Sequence, residues 1–524
     1  MKNPKLYAIF ISLIVALGGF LLGFDSAVIS GATPFYKNTF GLDTGSWIIG
    51  FSVGSIILGA IMGNIIAGPL ADRFGRNRML ILTAILFAYC ALGTALTHSI
   101  AFFISARIVG GLGVGIAILV APMYIAEIAP KKLRGTLVTF NQLNIVIGIS
   151  VAYFSNYLIQ QQIADPDLKW RFMLGVGVLP ALLYFVLLFL VPRSPRWLMQ
   201  RGLETEALKV LVKVNGEENA GIVLDEIRVS LEDDSKTEAA RFRDVFSRRM
   251  KLVMIIGLGI AFFQQITGIN AIFYYAPMIF EMAGGGKDAA FLQAIILGIT
   301  NVVMTVVAMF LIDRLGRKPL LIIGAIGITL SLSIVGTSFI SSTYTITDDS
   351  MALLKEELTE IKGATETASL LASLEPIRGV TFAKETVFFH EVKMLIGTDN
   401  YNLHKEHILK NSITIRSAWV LIGLLMFVAS FAISLGPVMW TLLSEIFPNK
   451  LRGRAISIVG FWNSIVSFTV ATVFPMELEH LGSSFTYYLF ALFGFLTLLF
   501  VLKFIPETKG KSLEELEQIL VNRN

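Results

Sequence analysis

Twelve apolar segments constrain this chain more than any other feature. They fall at about 7–31, 46–70, 79–97, 101–126, 136–158 and 170–191, then at about 251–282, 289–312, 319–341, 416–444, 455–475 and 484–505. Each is near or above the ~20 residues a helix needs to cross a bilayer. Lipid offers the backbone no hydrogen-bond partner, so each crossing must satisfy its own N–H and C=O groups, and the fold is an all-α integral membrane protein. Of 524 residues, 55% are hydrophobic and 15% charged, which excludes a soluble domain of ordinary composition. No small-residue cleavage site follows the first apolar run, so it reads as a retained helix. The single cysteine, Cys90, excludes an internal disulfide.

Charge sets the orientation. Of 43 Lys and Arg, about 30 fall in the termini and in the loops that follow even-numbered spans. These loops include Arg73-Arg76-Arg78, Lys131-Lys132-Arg134, the 193–251 stretch, Arg314-Arg317-Lys318 and Lys450-Arg452-Arg454. The positive-inside rule then predicts cytoplasmic N- and C-termini. The formal charge of +5 is therefore a topology signal, and it argues against nucleic-acid binding.

The two halves repeat. Gly68-x-x-x-Asp72-Arg73-Phe74-Gly75-Arg76 follows span two, and Asp313-Arg314-Leu315-Gly316-Arg317-Lys318 follows span eight. Glu127-Ile128-Ala129-Pro130-Lys131-Lys132-Leu133-Arg134-Gly135 follows span four, and Glu445-Ile446-Phe447-Pro448-Asn449-Lys450-Leu451-Arg452-Gly453 follows span ten. Such a duplication predicts two six-helix bundles that rock against each other. The expected division is a first bundle over 1–192, a cytoplasmic linker over 193–250, a second bundle over 251–506 and a tail over 507–524. Asp72, Arg73, Arg76, Glu127 and Arg134, with Asp313, Arg314, Arg317, Glu445 and Arg452, are the expected cytoplasmic gate, closing the outward-facing state by salt bridges. The plainer alternative is that they only anchor helix ends at the interface. The linker alternates apolar and charged residues over 207–213 and 223–227, which predicts amphipathic helices under the bundles. The outer insertion, 343–415, is helical in pattern at Leu353–Leu358 but too small to predict an independent domain.

Span seven carries groups that lipid cannot satisfy: Gln264, Gln265, Gly268, Asn270, Tyr274 and Tyr275. At about 100° per residue, Gln264 and Tyr275 share a face while Gln265 and Asn270 diverge by about 140°, so a bend near Gly268 is needed to aim them at one ligand. Amides and phenols both donate and accept, which suits a neutral polyhydroxylated ligand. The rival reading is an amide cluster that only holds helices together. Asp25 in span one and Arg107 in span four are intramembrane charges, each about six residues, or ~9 Å, below the outer face. A pair at that depth is less costly than two lone charges. It is either a static ion pair or a proton switch, in which protonation of Asp25 frees Arg107 and shifts the balance of states.

These motifs resemble the sugar porters of the major facilitator superfamily over nearly the whole chain except 343–415. The Asp-Arg-x-Gly-Arg loops mark the superfamily. Pro192-Arg193-Ser194-Pro195-Arg196-Trp197, Gln264-Gln265 with Gly268-Ile269-Asn270, and Pro506-Glu507-Thr508-Lys509-Gly510 mark the sugar porters. One position departs, since the family usually has Glu where Arg193 stands. The resemblance implies the major facilitator fold and sugar contacts from Gln142, Gln264, Gln265, Asn270, Tyr274, Asn301, Trp440 and Asn463, with Gly436-Pro437 as a flexible segment in span ten. Ser464 stands where the family often has Trp, and Trp462 is the nearest substitute. It also implies the substrate. Porters similar to the bacterial xylose symporter have Gln and Leu where this chain has Ile149 and Phe273, whereas glucose facilitators have Ile and Phe. Phe can lie against an apolar sugar face, so a glucose-like hexose is expected first and xylose second. Proton-coupled members have Asp at the place of Asp25, so symport is expected, with the proton as coupling ion and no cofactor.

Rival classes are weaker. Gly510-Lys511-Ser512 lacks the first glycine of a phosphate loop, because Ile505 stands there, which argues against a pump. The five His are scattered without ligand spacing, and no catalytic cluster indicates an enzyme. A uniporter and a transporter-like sugar sensor remain as alternatives. The bilayer and a small sugar are the expected partners, and no protein partner is readable. The absence of Asn-x-Ser/Thr fits a bacterial inner membrane.

Overall fold

The computed structural model describes residues 3–42, 46–130, 133–236, 242–362, 364–448, 451–511 and 513–520. Lys131, Lys132, Asn449, Lys450 and Ser512 of the motifs above lie outside them. Among the described residues, twelve helices are long and apolar enough to cross a membrane. The first six are Pro4–Thr39, Trp47–Phe74, Arg76–Leu96, Ile100–Ile128, Arg134–Gln162 and Pro166–Leu188. The second six are Arg248–Met282, Lys287–Leu315, Arg317–Ile340, Ser417–Ile446, Arg452–Leu481 and Ser483–Phe504. The chain is thus an integral, multi-pass membrane protein of two six-helix bundles, with both ends on one face. That face is called inner below.

Within the first bundle, glycine lets backbones touch. A Cβ on Gly59 would strike the Ile108 carbonyl, and one on Gly111 would strike the Ile56 carbonyl, so spans two and four pack backbone to backbone. Dispersion gained at such close approach is what binds helices where lipid is as apolar as leucine. Gly75 and Gly316 end spans two and eight at φ +91° and +93°, a region that favours glycine. They turn the chain directly into spans three and nine, which explains the glycine in both repeated loops.

The bundles meet through their outer halves. Tyr153 Oη donates to the Phe273 carbonyl at 2.7 Å, and Gln160 Nε2 donates to Asp288 at 3.4 Å. The Phe51 and Phe468 rings meet edge-on at 5.8 Å. A Cβ on Gly50 would run into the Thr472 carbonyl of span eleven. Gly50→Val is therefore expected to wedge this seam open. Overpacking costs about 1–3 kcal/mol, which displaces a two-state balance about 5- to 150-fold. Uptake should be lost while sugar still binds from the outer side; unchanged uptake would contradict the seam.

Two smaller units flank the bundles. On the inner side, helices Pro195–Gln200, Glu204–Asn215 and Glu217–Lys236 share an apolar core of Trp197, Leu198, Ala207, Leu211, Ala220 and Leu224. The alternating segments of the linker fall in the second and third of these. On the outer side, the insertion is more ordered than its sequence suggested. Helices Asp348–Lys362, Ala364–Leu374, Glu385–Ile396 and Thr398–Ser412 join a three-stranded antiparallel sheet of β1 (Thr343–Thr345), β2 (Thr381–Phe382) and β3 (Ile413–Thr414), in order β2-β1-β3. The unit has its own core, including Tyr344, Leu354, Leu374, Phe388 and Ile408. Strands of two or three residues carry too little alternation to be read from sequence. Lys405 pairs with Glu479, and the Ser483 N–H donates to Glu385 at 3.2 Å, fastening the insertion to the second bundle.

Candidate functional site

Span seven is helical over Lys251–Ile266 and again over Ile269–Met282. Gly268 between them is left-handed at φ +91°, and a Cβ there would meet the Phe490 ring at 2.6 Å. The bend required by the amide directions is therefore present. A second distortion at Tyr275 (φ −125°, ψ 16°) precedes Pro277 and was not anticipated, although an internal proline is its usual cause. Span ten breaks at Ser434 (φ −126°, ψ −97°), next to the flexible segment expected at Gly436-Pro437. Pro437 explains the break, because its ring clashes with the carbonyl four residues earlier.

The amides form one connected network. Gln264 Nε2 donates to the Leu435 carbonyl at 2.9 Å. Gln265 Nε2 donates to Gln264 Oε1 at 3.2 Å and to Asn463 Oδ1 at 3.1 Å. Asn463 Nδ2 donates to Gln264 Oε1 at 2.9 Å and to the Ala261 carbonyl at 3.0 Å. Asn270 Nδ2 donates to Gln265 Oε1 at 2.8 Å and to Ser467 Oγ at 2.6 Å.

This network lines a cavity of about 300 Å³ between the bundles. Gln142, Ile149, Gln264, Gln265, Asn270, Phe273, Tyr274, Asn301, Gly436, Trp440 and Asn463 all line it. Ser26, Asn64, Thr305, Ser464 and Ser467 line it too and were missed. Ser467 was findable, since it lies one helical turn beyond Asn463. Tyr275, beyond the break at Gly268, does not line the cavity; its hydroxyl donates to the Ala471 carbonyl at 3.0 Å. Trp462 does not substitute for the missing family tryptophan; it stacks on Phe262, with ring centroids 6.4 Å apart. Exposure grades along the cavity. Phe273 and Tyr274 at the outer end are 7% and 6% exposed, whereas Trp440 and Ile118 toward the inner end are 43% and 42% exposed. The cavity opens to the inner face and is sealed from the outer one.

Asp25 and Arg107 lie beside its outer end. Arg107 Nη1 is 3.7 Å from Asp25 Oδ2. Arg107 Nε donates to the Ser52 carbonyl at 3.1 Å and Nη2 to the Val53 carbonyl at 3.3 Å, so span two holds the guanidinium in place. Cys90 Sγ approaches Asp25 Oδ1 at 3.8 Å. The neighbouring Ser26 faces the cavity, so one turn of span one touches both sites.

The inner charges pair within each bundle. Arg76 lies 3.1 Å from both Asp72 and Glu127, and Arg317 lies 2.6 Å from Glu445 and 3.6 Å from Asp313. Ser194 and Thr508 donate to Glu127 and Glu445 respectively. Arg73 and Arg314 are exposed. Arg134 lines a separate inner cavity with Glu127 and Arg196, and Arg452 Nε donates to the Phe447 carbonyl at 3.2 Å.

The repeat breaks at one residue. Glu507 accepts the N–H groups of Arg317 and Lys318, each at 3.1 Å, and so caps the start of span nine. Arg193 holds the matching place in the first bundle. It lies 3.9 Å from Glu206 and 5.9 Å from the Trp197 ring, and among the described residues it offers no carboxylate to the N–H groups that open span three. Arg193→Glu is expected to restore the cap and raise the melting temperature, by about 0.5–2 kcal/mol of stability. An unchanged or lower melting temperature in detergent would contradict this.

Twelve helices in two repeated bundles around an amide-lined cavity define a major facilitator, and the chain belongs to the sugar porters within it. The family described as "Sugar (and other) transporter" matches residues 11–354 and 400–520, leaving out the middle of the outer insertion. The arabinose-proton symporter of Bacillus subtilis is 34% identical over 518 residues, covering 98% of this chain and 95% of that protein. The glucose transport protein of Synechocystis is 35% identical over 520 residues, 97% of each. The inward open conformation of the xylose transporter XylE from Escherichia coli superposes with a TM-score of 0.73 at 33% identity, covering 98% of this chain and 100% of that one.

Proposed function

We propose that the chain is a proton-coupled monosaccharide symporter of the plasma membrane, taking a glucose-like hexose first and xylose second. The observation that carries this reading is the buried Asp25–Arg107 pair, 3.7 Å apart, with Asp25 on the turn of span one whose Ser26 faces the amide-lined cavity and Arg107 on span four. The amides of Gln264, Gln265, Asn270 and Asn463 supply donors and acceptors for sugar hydroxyls. Ile149 and Phe273 give part of the wall an apolar surface for a sugar face. The related proteins named above carry arabinose with protons, glucose, and xylose.

Residues 1–192 and 251–506 rock as two bodies, with both termini cytoplasmic. The described state faces inward. Closure brings the inner ends together, where the Arg76–Glu127 and Arg317–Glu445 networks hold each bundle's helix mouths rigid. Protonation of Asp25 releases Arg107 and permits the loaded carrier to turn. One proton moving through 100 mV supplies ~2.3 kcal/mol, which supports roughly fiftyfold accumulation.

Uptake of glucose and xylose by purified protein in proteoliposomes, with and without an inward proton gradient, tests this. Glucose should exceed equilibrium only with the gradient. Equal final levels in both cases would make the protein a uniporter, and no flux of either sugar would point to another polyol or a sensor.

A further inference from the structure

A second cavity lies away from the central one. About 620 Å³ lies on the outer face, between the insertion, the outer end of span five and the loop joining spans seven and eight. Its volume is ample for a monosaccharide. Its walls come from three parts of the chain. Gln160 belongs to the first bundle, Glu281 and Asp288 to the second, and Glu357, His407 and Lys410 to the insertion.

The chemistry of the walls selects a ligand class. Three carboxylates face two ammonium groups, those of Lys287 and Lys410. The near balance favours neither an anion nor a strongly charged cation, while the mixture of acceptors and donors matches vicinal hydroxyls. Glu357 is held as a carboxylate, its pKa brought down to about 2 by the hydrogen bond from His407, with Lys410 adding to it against partial burial. His407 Nδ1 lies 3.0 Å and Lys410 Nζ 2.6 Å from its oxygens. Gln160 lines the same cavity, and its Nε2 donates to Asp288 at 3.4 Å, which ties the first bundle to the second at this wall.

We propose that this outer cavity is a second sugar-binding site, a docking vestibule that the insertion builds over the closed outer seam. It takes a neutral monosaccharide, through the carboxylate acceptors and the Lys410 ammonium. The choice of sugar rests on the symporter reading above. The part of the insertion outside the family match contributes Glu357, so the vestibule is particular to chains that carry such an insertion.

The native chain has one cysteine, Cys90, and it is buried, so an introduced thiol reports alone. Ala289 is an exposed lining residue. The experiment measures alkylation of full-length Ala289→Cys by a membrane-impermeant maleimide, with glucose as the probe. Glucose at ten times its Kd should slow alkylation about tenfold, by simple occupancy. The protection should persist when Gln265→Ala weakens central binding. It should fall when Lys410→Met or Gln160→Leu alters the vestibule, with glucose uptake still measurable. Protection that disappears with Gln265→Ala would be a conformational echo of the central site and would overturn the proposal. So would the absence of protection in a protein that accumulates glucose. Failure of the symporter reading shows separately, as glucose uptake by the unmodified chain that does not exceed equilibrium when the proton gradient is imposed.

Discussion

Asp25→Asn is expected to abolish uphill sugar uptake while leaving exchange of sugar across the membrane intact. The amide keeps the shape of the carboxyl group but cannot carry a proton, so the carrier loses its only link to the gradient in this account. Fiftyfold accumulation at 100 mV should fall to onefold, a loss of ~2.3 kcal/mol of driving force. The converse substitution behaves differently. Arg107→Ala would leave Asp25 buried without its cation, and breaking such a pair from one side costs about 3–5 kcal/mol, so that variant tests folding more than coupling. Counterflow and gradient-driven uptake, measured on the same Asp25→Asn preparation, separate the two activities. Normal accumulation by that variant would remove the switch from the mechanism.

Gln265→Ala should have the largest effect on substrate affinity. Gln265 joins Gln264, Asn270 and Asn463 through hydrogen bonds of 2.8 to 3.2 Å, so its loss removes its own contact and releases three other amides from their set directions. An unmade buried hydrogen bond costs about 1–3 kcal/mol, which corresponds to a rise in sugar Kd of about 5- to 150-fold. The melting temperature should change little beside it, because Asn463 keeps the Ala261 carbonyl and Asn270 keeps Ser467. Equilibrium binding of radiolabelled glucose checks this. An unchanged Kd with a lowered melting temperature would instead make the amides structural glue between spans seven and eleven.

How much of this was legible depends on period and polarity. The twelve spans were readable because lipid leaves no alternative to long apolar helices. The bend at Gly268 was readable because the amides around it could not otherwise converge. The flexible segment of span ten was readable from Gly436-Pro437, but the break itself falls at Ser434, since a proline acts on the carbonyl four residues before it and not at its own position. The straight-helix wheel that puts Gln264 and Tyr275 on one face does not hold across the left-handed Gly268, and Tyr275 bonds the Ala471 carbonyl instead. Ser26 and Ser467 escaped notice because serine hydroxyls in membrane helices commonly bond their own backbone, so they stand out less than an amide. The vestibule was unreadable. Its walls come from residues more than 200 positions apart, brought together by an insertion whose strands are too short to show a period.

The proton is the centre of the account, and its movement can be measured without any imposed gradient. Purified protein in proteoliposomes, in weakly buffered medium with the membrane potential clamped at zero, receives a pulse of external glucose while external pH is recorded. Glucose should drive protons inward with it and make the medium more alkaline. The signal should scale with sugar flux and be absent in Asp25→Asn, although that variant still exchanges glucose. Glucose flux in the unmodified chain with no change in external pH would contradict symport and return the Asp25–Arg107 pair to a structural role.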